Sequence, residues 1–286
     1  MVSAVITHNV VALRAEPRSS AEQISQVILG ESVTLLSEEG EYCQITTEDG
    51  YQGWILCHHL RPYRRLNEEN EPVWGGDLTE GIWYRVKAPF APFRLRPYLD
   101  SGFTTQLVFG TFVLARSAQE TPASFVRVEI PSSPDAQHHY QSGYLEASVL
   151  DQCEAYAAFQ GDVLAELAQR FIGTPYLWGG GTSFGFDCSG YVQRLYKHFG
   201  ILLPRDAYQQ VHSPLLTPPR ENEPFQAGDL LYFKGDHDPQ QRGITHVGMA
   251  LGDENFIHAN GKEGVCITPL SDPYYARTFQ TARRFR

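Results

Sequence analysis

Several features that would assign the chain to a membrane or to a nucleic acid are missing from its sequence. No stretch approaches 18 consecutive apolar residues, so no membrane-spanning helix is expected. Lys and Arg total 23 against 33 Asp and Glu, a net charge of −10, and no long basic run concentrates the positive charge. Since affinity for nucleic acid or an anionic membrane surface depends on clustered Lys and Arg, neither is an expected partner.

Cysteine is also scarce, and the first residues carry no recognisable secretion signal. The five cysteines are odd in number and unpatterned, which favours a reducing compartment over a disulfide framework. The first ten residues lack a basic segment followed by an apolar stretch and a small-residue cleavage site. A cytoplasmic location is therefore expected, or a secreted or periplasmic one if a leader has been removed.

What remains is typical of a globular protein with more than one domain. Hydrophobic residues make up 42% of the 286 positions, aromatic residues 12% and charged residues 20%. A chain of this length exceeds what one hydrophobic core usually serves. We expect three domains, at residues 1–64, 75–150 and 155–286, with the Asn- and Glu-rich segment 64–72 as a linker.

Residues 1–150 contain a diverged duplication. Both copies hold short alternating stretches separated by Gly, Pro, Asp and Ser, a pattern typical of small antiparallel barrels. The order of matching pieces is kept while the gaps vary, as when strands persist and loops change length. The matching pieces are Leu13-Arg14 with Leu95-Arg96, residues 26–30 with 106–110, and residues 51–55 with 140–145.

From residue 155 the pattern changes to helices followed by strands. Residues 162–172 have apolar side chains at helical spacing, and a second helix is expected from about Cys188 to Gly200. Strand-like runs follow at 229–233, 246–251 and 255–259, with a fourth at 265–268. This order predicts an α+β domain.

Cys188 is the strongest candidate for a reactive group. Asp187 is a good N-cap residue, so Cys188 is expected in the first turn of its helix. There the backbone dipoles and free N–H groups favour an anion, and we expect the pKa of the thiol to fall toward that of a reactive thiolate. The alternative is that Cys188 only fills the core, as cysteines on apolar helix faces commonly do.

His246 opens a strand in which Gly248 and Ala250 share its face, leaving space beside the imidazole. If the next hairpin has an odd loop centred on Asp253, Gly248 pairs with His258 and the two histidines share a face. His258 would then hold the His246 ring in the tautomer that accepts a thiol proton, an arrangement of Cys, His and a third polar group. An even loop would turn His258 away.

Metal and nucleotide sites are not expected. His237, Asp238 and His246 lie close in sequence but lack the spacing of a zinc site. The glycines at 179–185 match neither a dinucleotide fingerprint nor a phosphate-binding loop. The adjacent pairs His58-His59 and His138-His139 are expected at the surface with diverging side chains. No cofactor is therefore predicted.

Residues 160–286 resemble the NlpC-type peptidases, a papain-like family that acts on peptidoglycan stem peptides. The resemblance implies that Cys188 is the nucleophile, His246 the general base and acid, and His258 its orienting group. It also implies that Tyr176 and the Cys188 backbone N–H bind the tetrahedral oxyanion. The matching pieces, in order, are residues 173–181, 186–190, 203–205, 224–233, 246–248 and 256–259.

The front half resembles bacterial SH3-like domains, through the Leu13-Arg14 piece, an apolar-Gly-Glu piece and the segment 49–54. The resemblances together imply an α+β papain-like catalytic domain preceded by two small all-β SH3-like barrels. The alternative is that the barrels are generic and bind no ligand of their own.

This order of domains resembles the γ-D-glutamyl-L-diamino-acid endopeptidases, which are dipeptidyl-peptidase-like enzymes acting on small murein peptides with a free N-terminal L-Ala. The resemblance implies a site for the substrate ammonium, and Asp187 and Ser189, which flank Cys188, are expected to supply its carboxylate and acceptor. It also implies that the first SH3-like domain closes the cleft with a tyrosine, matched by Tyr51, and a carboxylate. Glu22 is the expected carboxylate, with Glu16 and Glu31 as alternatives. Asp206 is expected to form another wall of the pocket.

Other functions stay open on the sequence alone. A close variant is a secreted endopeptidase anchored to the cell wall by its SH3-like domains. A second is a non-catalytic peptidoglycan-binding protein, and a third is acyl transfer or amide hydrolysis on lipids or γ-glutamyl peptides, which related folds also host.

Overall fold

The computed structural model divides the chain into two compact units, Met1–Ala155 and Tyr156–Arg286. The division falls where the sequence pattern changes. The expected linker and the expected boundaries at 64 and 75 lie outside the described residues, so the three-domain division stays a prediction. The structure describes residues 2–62, 81–116, 122–134, 136–138, 140–153, 158–236, 243–252 and 254–286.

Seven antiparallel strands form the first sheet, in the order β3-β2-β6-β5-β4-β1-β7. Alternating apolar residues such as Val11, Leu13, Ile45 and Ile55 turn inward and form one buried core. A single 3-10 turn, η1 (Cys57–His59), separates the last two strands. The strands are β1 (Val2–Ile6), β2 (Val10–Arg14), β3 (Gln23–Ile28), β4 (Ser32–Glu39), β5 (Tyr42–Thr46), β6 (Gln52–Leu56) and β7 (Leu60–Pro62).

A second seven-stranded sheet repeats the order of the first, as β10-β9-β13-β12-β11-β8-β14. Its core contains Phe93, Leu107, Val128 and Leu145. A turn η2 (Ala147–Val149) occupies the place of η1. The strands are β8 (Ile82–Val86), β9 (Phe90–Arg94), β10 (Phe103–Val108), β11 (Phe112–Ala115), β12 (Phe125–Pro131), β13 (Tyr140–Glu146) and β14 (Leu150–Gln152).

The alignment of Leu13-Arg14 with Leu95-Arg96 is wrong by two residues. Arg14 pairs with Trp54 in the first sheet, and Arg94 pairs with Tyr144 in the second. Strand β9 therefore ends at Arg94, and the second Leu-Arg pair lies in the following turn. Sequence identity at two positions was weaker evidence than the constant spacing between the end of the strand and the positive-φ glycine that follows the next strand, Gly30 or Gly110.

Two expectations about the first sheet are also wrong. Cys43 and Cys57 form a disulfide between β5 and the start of η1, although cysteine spacing indicated no disulfide. The side chains of His58 and His59 do not diverge, because their ring centroids lie 4.1 Å apart. A 3-10 turn brings neighbouring side chains closer than an extended strand does. His138 is exposed, as expected, and His139 lies outside the described residues.

The rear unit has the expected α+β order, with helix α2 packed against strands of a six-stranded antiparallel sheet. The sheet order is β17-β22-β18-β19-β20-β21. The helices are α1 (Gly161–Gln169), α2 (Cys188–Lys197), α3 (Ala207–Gln210) and α4 (Pro273–Thr278). The strands are β15 (Gly181–Thr182), β16 (Gly185–Phe186), β17 (Leu216–Thr217), β18 (Leu230–Phe233), β19 (His246–Ala250), β20 (Asn255–Asn260), β21 (Gly264–Pro269) and β22 (Phe279–Phe285).

The buried face of α2 fixes where its first residue lies. Tyr191, Val192, Leu195 and Tyr196 on this face are completely buried, and burial of each such side chain stabilises the fold by about 1.5–3 kcal/mol. This anchoring holds the N-terminal turn of α2 beside β19. Among the described helices, none combines the length and apolar character needed to cross a membrane.

Candidate active site

Cys188 is the first residue of α2 and is almost completely buried. The side chain of Asp187 caps the helix by accepting a hydrogen bond from the Gly190 N–H at 2.7 Å. The backbone N–H groups of Val247 and Ser189 lie close to the Cys188 sulfur and favour its anion. Val247 follows His246 on β19, so the sulfur and the opening of that strand share one region of the unit.

A close backbone approach fixes this turn. A Cβ on Gly190 would lie 2.1 Å from the carbonyl oxygen of Gly180, so only glycine allows the contact. The loop before α2 therefore packs directly against the helical turn that carries Cys188. The prediction that Asp187 caps the helix is confirmed, and the glycines on both sides of Cys188 allow the protein's own backbone to pack closely.

The direction expected for the Cys188 pKa is wrong. Burial, and next the charge of Asp187, raise the pKa of the thiol to about 12. The two backbone N–H groups and the nearby Arg205 oppose this rise without overcoming it. Since desolvation penalises the thiolate more than the start of the helix favours it, the sulfur holds its proton at rest. A nucleophilic role then needs a base at the moment of attack.

The hairpin carrying His246 and His258 has the odd register, which is the one of the two sequence alternatives that sets both histidines on one face. Met249 pairs with Ile257 and Ala250 with Phe256, and the same register sets Gly248 opposite His258. A Cβ on Gly248 would lie 2.5 Å from the Phe256 ring and 3.2 Å from the His258 Cβ. The prediction that both histidines share a face is confirmed, and Gly248 makes the space for them.

The two imidazoles form a linear series of contacts. His246 Nε2 lies 2.8 Å from His258 Nδ1, and His258 Nε2 lies 2.9 Å from the Thr268 hydroxyl. If Thr268 accepts from His258 Nε2–H, then His258 Nδ1 accepts from His246 Nε2–H, and His246 Nδ1 keeps its lone pair. With Thr268 as the acceptor, His246 therefore carries its proton on Nε2.

Burial keeps both rings neutral. Desolvation lowers the pKa of His246 to about 4, while the charge of Asp187 opposes the shift. Desolvation, and next the neighbouring His246, lower the pKa of His258. The imidazoles can therefore accept a proton over the whole neutral range.

Sequence reasoning missed Thr268 and Tyr275. The pairing of His258 with Cys266 on β21 sets Thr268 on the same face of the sheet, so strand alternation could have identified it. The Tyr275 hydroxyl lies 3.4 Å from His258 Nδ1, and its ring packs edge-on against His258. Tyr275 comes from α4, and nothing in the local sequence linked that helix to the hairpin.

Arg205 was quoted in the sequence only as part of a matching piece, yet it organises the residues around Cys188. Its guanidinium, 2% exposed, donates to both carboxylate oxygens of Asp187, at 2.6 and 3.1 Å. It also donates to the Ser189 hydroxyl at 3.0 Å. Such a bidentate pair orients both side chains. Asp187 and Ser189, predicted as substrate contacts, are brought together, with the charge of Asp187 balanced.

The other predicted residues of the rear unit have different positions. Tyr176 is half-buried, and burial, followed by the nearby Cys188 and Asp187, raises the pKa of its hydroxyl above the ordinary value. Tyr176 therefore lies in the electrostatic neighbourhood of Cys188. Asp206 caps α3 in a reciprocal arrangement with Gln209, which gives its carboxylate a structural role.

The predicted contacts of the front unit are described within that unit. Tyr51 packs against the core of the first sheet, and Glu22 is exposed. Glu16 pairs with Arg18 at 2.9 Å, and Glu31 accepts the Ile28 N–H at 2.9 Å. Their part in substrate binding stays a prediction. His237 and Asp238 lie outside the described residues.

Comparisons with known proteins agree with the geometry. A sequence profile of the NlpC/P60 family matches residues 173–284, and one of the bacterial SH3 domain matches residues 9–61. A crystal structure of a NlpC/P60 family protein from Bacillus cereus superimposes with a TM-score of 0.78, covering 99% of both chains at 24% identity, which supports the fold.

Two curated relatives extend along most of the chain. A "Gamma-D-glutamyl-L-lysine dipeptidyl-peptidase" of Bacillus cereus is 30% identical over 91% of this chain and 74% of its own length. A "Gamma-DL-glutamyl hydrolase" of Bacillus subtilis is 40% identical over 100% of this chain and 67% of its own. With a papain-like NlpC/P60 domain behind an N-terminal bacterial SH3 domain, the chain belongs to the NlpC/P60 family of cysteine peptidases.

Proposed function

We propose that the chain hydrolyses the bond between γ-D-Glu and the diamino acid of peptidoglycan stem peptides that carry a free N-terminal L-Ala. The observation that carries the proposal is the contact of His246 Nε2 with His258 Nδ1. His246 directly precedes Val247, whose backbone N–H lies close to the Cys188 sulfur. Nucleophile, base and orienting group then have the arrangement of a covalent hydrolase.

In the proposed reaction, the Cys188 sulfur attacks the γ-carbonyl carbon while its proton moves to His246 Nδ1. Proton transfer accompanies attack, because the thiol is protonated and the imidazole neutral at rest. The Cys188 N–H and the Tyr176 hydroxyl stabilise the oxyanion. The amine then leaves with the proton from His246, and water, deprotonated by His246, hydrolyses the thioester and restores the thiol.

Selection for a free amine is assigned to Asp187 and Ser189. Arg205 already balances the Asp187 carboxylate, so one carboxylate is a weak site for a second cation. An additional acceptor is therefore needed, and we propose Glu22 with Tyr51, keeping Glu16 and Glu31 as alternatives and Asp206 as a wall of the pocket. Glu22→Gln should raise KM for the free tripeptide several-fold with kcat nearly unchanged.

The second sheet is proposed to be a further SH3-like domain. Its strand order repeats that of the first sheet, and Gly30 and Gly110 adopt the same positive φ at the same turn. The family profile matches the first copy alone, at residues 9–61, so the proposal depends on topology. The repeat supports the predicted division into 1–64, 75–150 and 155–286.

Two observations favour different cellular locations for the protein. Small free peptides suit a cytoplasmic enzyme, whereas the Cys43–Cys57 disulfide is typical of an oxidising compartment. The disulfide therefore favours, as a second candidate, a secreted endopeptidase anchored to the wall. Alkylating thiols in intact cells before lysis decides: free Cys43 and Cys57 support the cytoplasm, and a protected pair supports export.

The functional test compares L-Ala-γ-D-Glu-diaminopimelate with its N-acetylated form and with purified sacculi. Release of the diamino acid from the free tripeptide alone supports the proposal, and release from sacculi supports the second candidate. Cys188→Ala should abolish turnover, while Cys153→Ala, a free cysteine of the front unit, serves as the matched control. Equal cleavage of the acetylated peptide contradicts the proposed specificity.

A further inference from the structure

Three histidines converge at one end of the first sheet. His8 lies in the turn between β1 and β2, and His58 and His59 belong to η1 between β6 and β7. The centroid distances are 4.1 Å for His58–His59, 4.4 Å for His8–His59 and 5.6 Å for His8–His58. One nitrogen of each ring lies within 4.8 Å of the other two. Three nitrogen atoms that could bind one metal ion therefore lie close together.

The hydrogen bonds of Thr7 define the tautomer of His8. The Thr7 hydroxyl donates its single proton to the His59 carbonyl oxygen at 3.1 Å. Toward His8 Nδ1, also 3.1 Å away, it can therefore only accept. His8 then carries its proton on Nδ1 and a lone pair on Nε2. Metal-binding histidines commonly have this arrangement, in which the other ring nitrogen is held by a hydrogen bond.

His59 contributes an orphaned polar atom. Its Nδ1 is buried and has no hydrogen-bond partner among the described residues, an arrangement that is unfavourable for a buried polar group. A cation held between the rings would remove the need for a hydrogen-bond partner within the cluster.

The backbone holds this cluster in place. The Thr7 N–H donates to the His59 carbonyl at 3.0 Å, which ties the His8 turn to η1. Cys57, directly before the histidines, is bonded to Cys43 of β5. His58 is exposed and has room to change rotamer. Two ring positions are therefore fixed and one is adjustable.

The second sheet provides an internal comparison. Its equivalent turn has the same hydrogen bond, from the Lys87 N–H to the Val149 carbonyl at 2.9 Å. By that correspondence Ala88, Ser148 and Val149 stand where the first sheet has His8, His58 and His59. The turn therefore forms without imidazoles, and the fold does not explain the three histidines.

We propose that His8, His58 and His59 form a binding site for a divalent transition-metal ion of the zinc class, with three imidazole ligands and an open fourth position. Imidazole nitrogens suit zinc, copper, nickel and cobalt, whereas calcium and magnesium require oxygen ligands. Zn–N bonds of about 2.0–2.1 Å bring tetrahedral ligand atoms to about 3.3 Å from one another, and rotation of the exposed His58 ring would contribute to this contraction. His8 also lines a cavity of about 550 Å³, which gives an ion access.

The test uses the full chain, free of any affinity tag, with thiols alkylated and no reductant, so that Cys43–Cys57 stays closed. Zinc is measured by equilibrium dialysis, and cobalt(II) by the visible absorption of a tetrahedral complex. We expect one ion per chain, bound roughly 100-fold more weakly by His8→Gln and by His58→Gln, since even outer-shell changes cost 10–100-fold. His212→Gln, an exposed histidine of the rear unit, is the matched control.

Two outcomes overturn the proposal: no binding of either metal by the wild type at micromolar concentration, or binding that survives both substitutions. Circular dichroism of the metal-free variants checks that they fold, and His58→Gln changes an exposed side chain. Zinc should also raise the unfolding temperature of the wild type and leave that of the variants unchanged, because an ion that binds the folded state stabilises it.

Discussion

The described part of the chain contains two groups of packed histidines, and their ring nitrogens differ in their hydrogen-bond partners. In the rear unit, contacts of 2.8 and 2.9 Å link His246, His258 and Thr268. In the front unit, His59 Nδ1 is buried without a hydrogen-bond partner among the described residues, and His8 Nδ1 contacts the Thr7 hydroxyl. Burial lowers the pKa of both His246 and His59 to about 4. Burial therefore affects both groups. The hydrogen-bond partners of the ring nitrogens decide whether an imidazole transfers a proton or binds a metal ion.

The largest expected effect separates the two groups by catalysis. His246→Ala should lower kcat/KM by roughly 10³-fold or more, because no group is left to take the Cys188 proton. His138→Ala, which removes an exposed histidine of the front unit, should change kcat/KM less than twofold. Steady-state release of the diamino acid measures both. Near-normal turnover of His246→Ala contradicts the assignment of the base.

The second-largest effect is expected from the Cys43–Cys57 disulfide, which holds the turn that carries His58 and His59. The double variant Cys43→Ala, Cys57→Ala removes a cross-link between residues 14 apart in sequence, which should destabilise the fold by about 2–3 kcal/mol. Urea unfolding with two probes, one for each unit, measures the change, with Cys153→Ala as the control. An unchanged front-unit transition would mean that the disulfide contributes nothing to stability.

A smaller effect appears in the pH dependence of stability. The pKa of His246 is about 4 in the folded protein and about 6.5 when unfolded, so the unfolded chain binds more protons below pH 6.5. The free energy of unfolding should therefore be constant above pH 6.5 and fall by roughly 1–3 kcal/mol as pH decreases toward 4. His246→Gln should flatten this slope for the rear unit, and His59→Gln should do so for the front unit. A slope that neither substitution changes contradicts the burial argument.

The smallest effect tests the tautomer assigned to the rear group. Thr268→Val removes the acceptor for His258 Nε2–H, and kcat should fall roughly tenfold with little change in KM, because Thr268 acts through the histidines and does not touch the substrate. Thr268→Ser keeps the hydroxyl and should restore most of kcat. Equal losses in both variants would indicate a packing effect alone.

The sequence predicted the elements of the rear site well, since each depends on local rules. An N-cap aspartate placed Cys188 at the start of α2, and strand alternation with an odd loop placed His246 and His258 on one face. The helix-then-strand order of the unit followed from periodicity. These features depend on neighbours in sequence, which a single chain displays directly.

The rest depends on contacts between residues far apart in sequence. Arg205 reaches Asp187 across 18 residues, and Tyr275 reaches His258 from a separate helix. The pKa of Cys188 was expected to fall, because the helix start is visible in the sequence whereas the depth of burial is not. For the same reason, two cysteines 14 residues apart were not recognised as a disulfide, nor three histidines as a cluster.

The most direct test of the proposed chemistry is the mass of the protein after rapid acid quench of its reaction with L-Ala-γ-D-Glu-diaminopimelate. The account predicts a transient increase equal to the L-Ala-γ-D-Glu acyl group, carried by Cys188 as a thioester and absent from Cys188→Ala. Turnover by Cys188→Ala, or an acyl group found on another residue, would contradict it.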